Sequence, residues 1–129
     1  MGKNAFWILV THDIKEEFKN KDIKNQWPIY SHTHHKKCLA KGDKVIFYLA
    51  GEHGKKFIGK AEIDSPLQKR NDCFDYHILL KNIEYWKKPV MIKTLLESLE
   101  FIKIKSKWGL YLQSGVCPIT EKDYSLIIS

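Results

Sequence analysis

The side chains best suited to chemistry lie in one polar stretch, residues 23–41, which carries His32, His34, His35 and Cys38. All four are competent metal ligands, but their spacing, H-x-H-H-x2-C, matches no zinc motif, and all four come from one loop. The stretch also contains a run of lysines, which favours contact with phosphate over metal binding. A solvated loop that serves only solubility is the alternative. We therefore expect no bound metal and no cofactor.

Aromatic residues beside lysines form a second pattern. Three segments have it: Lys24 with Trp27, Tyr85-Trp86-Lys87-Lys88, and the basic run 103–107 before Trp108. Binding of single-stranded nucleic acid requires aromatic rings that stack on the bases, together with cations that neutralise the phosphates. Trp27 precedes Pro28 in the polar stretch, where no strand or helix periodicity assigns it to the core. Both a ligand-facing role and a packing role stay open for it.

The overall charge agrees with a polyanionic partner. The 129 residues carry 22 Lys+Arg against 15 Asp+Glu, a formal net charge of +7, which is typical of nucleic-acid-binding domains. The sequence contains no Gly-rich phosphate loop, no G-x-S-x-G or H-E-x-x-H motif and no deaminase signature. We expect a binding protein and not an enzyme; an enzyme or metal protein built on the histidine loop is the weakest alternative.

Cysteine usage and hydropathy indicate the compartment. Cys38, Cys73 and Cys117 are odd in number and far apart, so they form neither a disulfide framework nor a paired zinc knuckle. No stretch is long and apolar enough to span a bilayer, and the first apolar run, residues 5–10, is too short for the core of a signal peptide. We expect a cytoplasmic, monomeric protein without a membrane partner.

The strands that must position these residues can be predicted from apolar patterning. Continuous apolar runs predict buried strands over residues 6–10, a central strand, and 45–49. Alternation predicts a strand over 57–63 that forms a hairpin with 45–49, and a long strand over 76–85 that is ended by Lys87-Lys88-Pro89. Residues 108–111 are a further candidate strand.

Capping patterns predict three short helices. One runs from Asp13 to Asp22, one follows a capping box of Thr94 and Glu97, and the last begins near Thr120 and ends at Ile127. About five strands and three short helices indicate a mixed α+β domain or a small barrel.

Several segments, in this order along the chain, resemble the EVE domain, a PUA-like fold akin to the YTH modules that read methylated bases. The segments are Phe6–Val10, Gly42–Tyr48, Ile58–Ile63, Phe101–Trp108 and Ile119–Tyr124. The resemblance implies an α+β fold, a PUA-like mixed β pseudo-barrel of about five or six strands with short flanking helices, as a single domain over residues 1–129. It also implies a pocket in which related modules hold a modified base in an aromatic cage.

The resemblance further implies the residues of that pocket. Trp27, followed by Pro28, falls where the YTH modules carry a cage tryptophan, and Thr11, His12 and Asp13 fall at the polar turn that contacts the base edge. Phe74 and Trp108 are the candidates for further walls. Many EVE domains have W-x-G-x-R-N-Y, whereas this sequence keeps Trp27 without the Arg-Asn pair, so the identity of the base stays open.

The leading hypothesis is therefore a non-catalytic module that reads a modified (methylated) base of RNA or DNA in an aromatic pocket. Its phosphate contacts are predicted at five lysines: Lys36, Lys37, Lys103, Lys105 and Lys107. The alternative is a general RNA-binding PUA-like module without specificity for a base modification.

Overall fold

The computed structural model describes residues 5–11, 26–29, 38–51, 54–65, 67–69, 76–112 and 115–129. These parts of the chain form a sheet of seven strands, two α-helices and two 3-10 segments. The strands are β1 (Phe6–Thr11), β2 (Gln26–Ile29), β3 (Lys44–Leu49), β4 (Lys56–Ile63), β5 (Gln68–Lys69), β6 (Tyr76–Met91) and β7 (Val116–Ile119). The helices are α1 (Ile92–Leu95) and α2 (Glu121–Ile128), and the 3-10 segments are Leu96–Ser98 and Lys105–Leu112. The helix predicted over 13–22 lies outside the described residues.

Five strands form a mixed main sheet in the order β6-β4-β3-β1-β7. Strand β1 is parallel to β3, and the other neighbours are antiparallel. The first half of β6 also pairs with β2 and β5, so β6 continues from one part of the sheet into the other. The predicted α+β fold of pseudo-barrel type is confirmed, and β1, predicted to be central, is an interior strand between β3 and the edge strand β7.

Strand β6 is interrupted twice along the part that pairs with β4. Near the first interruption Lys60 pairs with Glu84 and Glu62 with Lys81, so β6 carries one extra residue there, and Asn82 has a φ of 54°, in the left-handed region. At the second, residues 86–89 oppose Ile58 alone. Such bulges bend a strand and tolerate a proline that has no N–H to donate. Pro89 therefore lies within β6, and the predicted end of the strand at this proline is wrong.

The two faces of the main sheet are covered by different parts of the chain. The first hydrophobic cluster contains Trp7 and Leu9 of β1 and also Trp27 of β2, and we call this side the inner face. The second cluster contains Ile8 of β1 and the apolar residues of the C-terminal segments, and we call this side the outer face. The alternation of successive side chains along β1 explains the division. On β4, burial alternates as predicted.

The C-terminal third confirms one of the predicted caps. Thr120 caps α2, its hydroxyl oxygen accepting a hydrogen bond from the Asp123 amide at 3.1 Å. Thr94 is not a cap, because α1 begins at Ile92 and the Thr94 hydroxyl donates to the Met91 carbonyl oxygen. Residues 108–111 belong to a 3-10 segment and not to a strand. Among the described residues no helix is long and apolar enough to cross a membrane.

Candidate functional site

Three stacked aromatic rings extend across the inner face, and we call Trp27, Phe47 and Tyr85 the aromatic row. The ring centroids of Trp27 and Phe47 are 5.1 Å apart with an interplanar angle of 25°, and those of Phe47 and Tyr85 are 6.0 Å apart at 28°. Trp27 and Phe47 are buried, whereas Tyr85 is 51% exposed. The row therefore leads from the interior of the pseudo-barrel to its surface, and its last ring is accessible to a ligand.

A glycine allows the outer two rings to meet. Gly59 of β4 is the register partner of both Phe47 on β3 and Tyr85 on β6. A Cβ at position 59 would lie 2.2 Å from the carbonyl oxygen of Glu84, so only glycine fits this close approach of two backbones. Because β4 has no side chain there, the Tyr85 ring reaches Phe47 across it. Partial burial raises the pKa of Tyr85, which keeps its phenol protonated and able to donate a hydrogen bond.

Thr11 is the last residue of β1 and lies on the inner face, as the aromatic row does. It shares the inner face of β1 with Trp7 and Leu9, and it is buried. Its register partner is Leu49, two residues beyond Phe47 on β3, or about 7 Å along the strand. Thr11 therefore lies on the strand next to Phe47, the middle ring of the aromatic row, and two residues further along the sheet.

Trp27 lies on a strand, not in the irregular loop that the sequence predicts. It pairs with Ile78 of β6 and is 2% exposed, within the first hydrophobic cluster. A strand of four residues that includes Pro28 shows no alternation, and its pairing partner lies about fifty positions further along the chain. The local sequence therefore contained no signal for this strand.

Trp108 lies elsewhere. Its half-buried ring packs against the second cluster, on the outer face, so the structure does not bring Trp27 and Trp108 together. Lys103 and Lys107 are exposed on the same C-terminal segment, whereas the Lys105 ammonium donates to the Leu99 carbonyl oxygen.

Five of the predicted site residues lie outside the described residues: His12, Asp13, Lys36, Lys37 and Phe74. Of Pro28 the structure describes the backbone, on β2 beside Trp27. Tyr85 was singled out in the sequence only as part of the segment Tyr85-Trp86-Lys87-Lys88 and was not among the predicted pocket residues. The available signal was its position beside Lys87 and Lys88 in an alternating strand.

Two buried carboxylates have structural roles. Asp43 accepts hydrogen bonds from the Ala5 and Ala40 amides and from the indole N–H of Trp7, at 2.9, 3.1 and 2.9 Å. Asp123 accepts from the amides of Glu100 and Phe101 at 2.8 and 2.9 Å. Both groups hold chain segments together. No group of three or more potential metal ligands occurs in the described part of the chain. The three histidines of the polar stretch are not among the described residues.

Comparison with known proteins gives consistent results. The profile of the EVE domain family matches residues 5–129. A UPF0310 protein of Pyrococcus abyssi is 29% identical over 141 aligned positions, which cover 97% of this chain and 98% of the relative.

Two solved structures with bound nucleic acid share the fold. The human THYN1 protein in complex with 5-methylcytosine-containing DNA has a TM-score of 0.66 at 10% identity, over 97% of this chain and 96% of that one. The YTH domain of Zygosaccharomyces rouxii MRB1 in complex with N6-methyladenosine RNA has a TM-score of 0.63 at 15% identity, over 97% and 84%.

Proposed function

Because the chain belongs to the EVE domain family, we propose that it is a non-catalytic nucleic-acid-binding module that reads a modified, methylated base. The observation that carries the proposal is the aromatic row, which ends in an exposed ring on the inner face. Structures of the same fold with methylated DNA and methylated RNA support it. A monomeric state and a cytoplasmic location stay predictions.

In the proposed complex one unstacked base lies against the exposed face of Tyr85. A methyl group adds apolar surface that is removed from water in such a contact, which favours the modified base. Thr11, with His12 and Asp13, contacts the polar edge of the base. Trp27 and Pro28 form the inner end of the pocket, and Phe74 is a further predicted wall. We leave Trp108 outside this pocket because it packs on the outer face.

Substitution of Tyr85 tests the proposal. Tyr85→Ala should weaken binding of a methylated single strand by about 1–3 kcal/mol, roughly 5- to 150-fold in Kd, and should reduce the preference over the unmodified strand. Tyr85→Phe keeps the ring and should keep the preference. Fluorescence anisotropy with DNA containing one 5-methylcytosine and RNA containing one N6-methyladenosine, each with its unmodified match, measures both effects.

A general RNA-binding module without base specificity is the second candidate, and exposed lysines such as Lys103 and Lys107 favour it. It predicts equal affinity for modified and unmodified RNA and no change of preference in Tyr85→Ala. That result would replace the first proposal by the second.

A further inference from the structure

Several lysines of the described chain already have carboxylate partners. The pairs are Lys44 and Lys81 with Glu62, Lys81 with Asp64, Lys60 with Glu84, and Lys122 with Glu100. In the sheet, the register partner of Lys44 is Phe6 of β1. Lys60 pairs with Ile46 of β3, which in turn pairs with Ile8 of β1. The charges of these lysines are therefore largely compensated, and those in the sheet lie away from Thr11.

A second group of lysines has no such partner. We call Lys55, Lys56, Lys87, Lys88 and Lys93 the lysine end; none of them forms an ion pair with a residue that the structure describes. Backbone contacts bring them together: Lys56 pairs with Met91, and the Ile92 amide donates to the Lys55 carbonyl oxygen at 3.1 Å. Lys87 and Lys88 are exposed on the second bulge of β6.

The lysine end lies next to the proposed base site. Leu49 is the register partner of both Lys56 and Thr11, so these residues form the last row of the sheet. Tyr85 pairs with Gly59, three positions from Lys56 on β4, or about 10 Å along the strand. Lys87 and Lys88 follow Tyr85 directly in the chain. The exposed ring and the uncompensated positive charges therefore share one end of the sheet.

Lys55 is held in an unusual conformation. Its φ is 65°, in the left-handed region that residues other than glycine rarely adopt. Two hydrogen bonds fix this backbone, one from the Lys55 amide to the Leu49 carbonyl oxygen at 2.7 Å and one from the Ile92 amide to the Lys55 carbonyl oxygen. Strained residues that persist under such constraints cluster at functional sites. Here the conformation fixes the direction in which the Lys55 side chain leaves the sheet.

We propose that the lysine end binds the phosphates of a single strand that continues from the base stacked on Tyr85, an inference that rests on the proposed function. Ammonium groups without a carboxylate partner release counterions from phosphates on binding, and the exposed ring requires a base that is not stacked in a duplex. The lysine end therefore supplies affinity, and the pocket supplies the choice of base.

The salt dependence of binding tests this inference, because the slope of log Kd against log salt counts phosphate contacts. On single strands each contact contributes about 0.7 to the slope. The double variant Lys87→Ala, Lys88→Ala should lower the slope by about 1.4 relative to the wild type, and Lys55→Ala, Lys56→Ala should lower it by a similar amount. The matched control is Lys60→Ala, Lys122→Ala, which removes two lysines that already have carboxylate partners and should leave the slope unchanged.

The outcomes separate this inference from the function on which it rests. If the wild type binds and both lysine-end variants show the same slope as the wild type, the inference is overturned and the proposed function stands. An equal loss of slope in the control would also overturn it, because the effect would then follow from net charge alone. Absence of wild-type binding to every oligonucleotide would overturn both. Since Lys87 and Lys88 are exposed, the Tm of their variant should match that of the wild type.

Discussion

Trp27 is the predicted site residue whose structural setting differs most from what the sequence indicates. It stacks on Phe47 and pairs with β6, so it contributes to the core and to the proposed pocket at once. Its position in a polar stretch left both roles open, because the pairing that buries it involves residues about fifty positions away. Thr120 differs from it in this respect: its cap depends on Asp123, three positions further on, and was predictable from the sequence.

The stability of Trp27 variants tests the packing role. Trp27→Ala should lower the free energy of unfolding by about 3–5 kcal/mol, because it removes a large buried side chain and leaves a cavity. Trp27→Phe retains a ring beside Phe47 and should lower it by less. Urea denaturation measures both values. A loss below about 0.5 kcal/mol in Trp27→Ala would show that the ring does not belong to the core.

At the scale of elements, strands that carry their own signal were predictable and strands that depend on distant partners were not. β1, β3 and β4 were predicted from continuous or alternating apolar residues, and the structure confirms them. β2 was missed, and the end of β6 was placed at Pro89, because bulges and edge pairing depend on the neighbouring strand. These same elements carry Trp27 and Tyr85, so the candidate site is the part of the molecule that the sequence predicts least completely.

Gly59 tests the contact between β4 and β6. Gly59→Ala should lower the free energy of unfolding by about 1–3 kcal/mol, because the added Cβ would lie 2.2 Å from a backbone oxygen and the strands must separate. Gly109→Ala is the matched control: nothing lies within 4 Å of its Cβ position, so the change should stay within about 0.5 kcal/mol. Equal effects in urea denaturation would contradict the close approach of the two strands.

At the scale of the whole molecule, the paired lysines make stability depend on pH. Hydrogen bonds from Lys44 and Lys81 hold the pKa of Glu62 below its ordinary value of 4.5. In the unfolded chain Glu62 regains its ordinary pKa, so between the two pKa values the unfolded state binds the extra proton. The stabilisation is therefore present above about pH 4.5 and is lost as the pH falls through the folded-state pKa.

Thermal unfolding across this range checks the assignment. The Tm of the wild type should decrease as the pH falls below 4.5, and Glu62→Gln should show a smaller decrease over the same interval because it has no carboxylate to protonate. Parallel curves for the two proteins would show that Glu62 does not contribute to the acid dependence.

The central claim is that a modified base binds on the inner face of the main sheet, at the exposed ring of Tyr85 and toward the end of β1 that carries Thr11. Trp27 and Trp108, two of the four tryptophans, lie on opposite faces of the sheet. Their indole N–H resonances in 15N-labelled protein, followed during titration with a methylated single strand, give one direct measurement. The Trp27 resonance should shift, more at equal saturation with the methylated strand than with its unmodified match, while the Trp108 resonance should stay in place. A shift of Trp108 with Trp27 unchanged would place the ligand on the outer face and contradict the account.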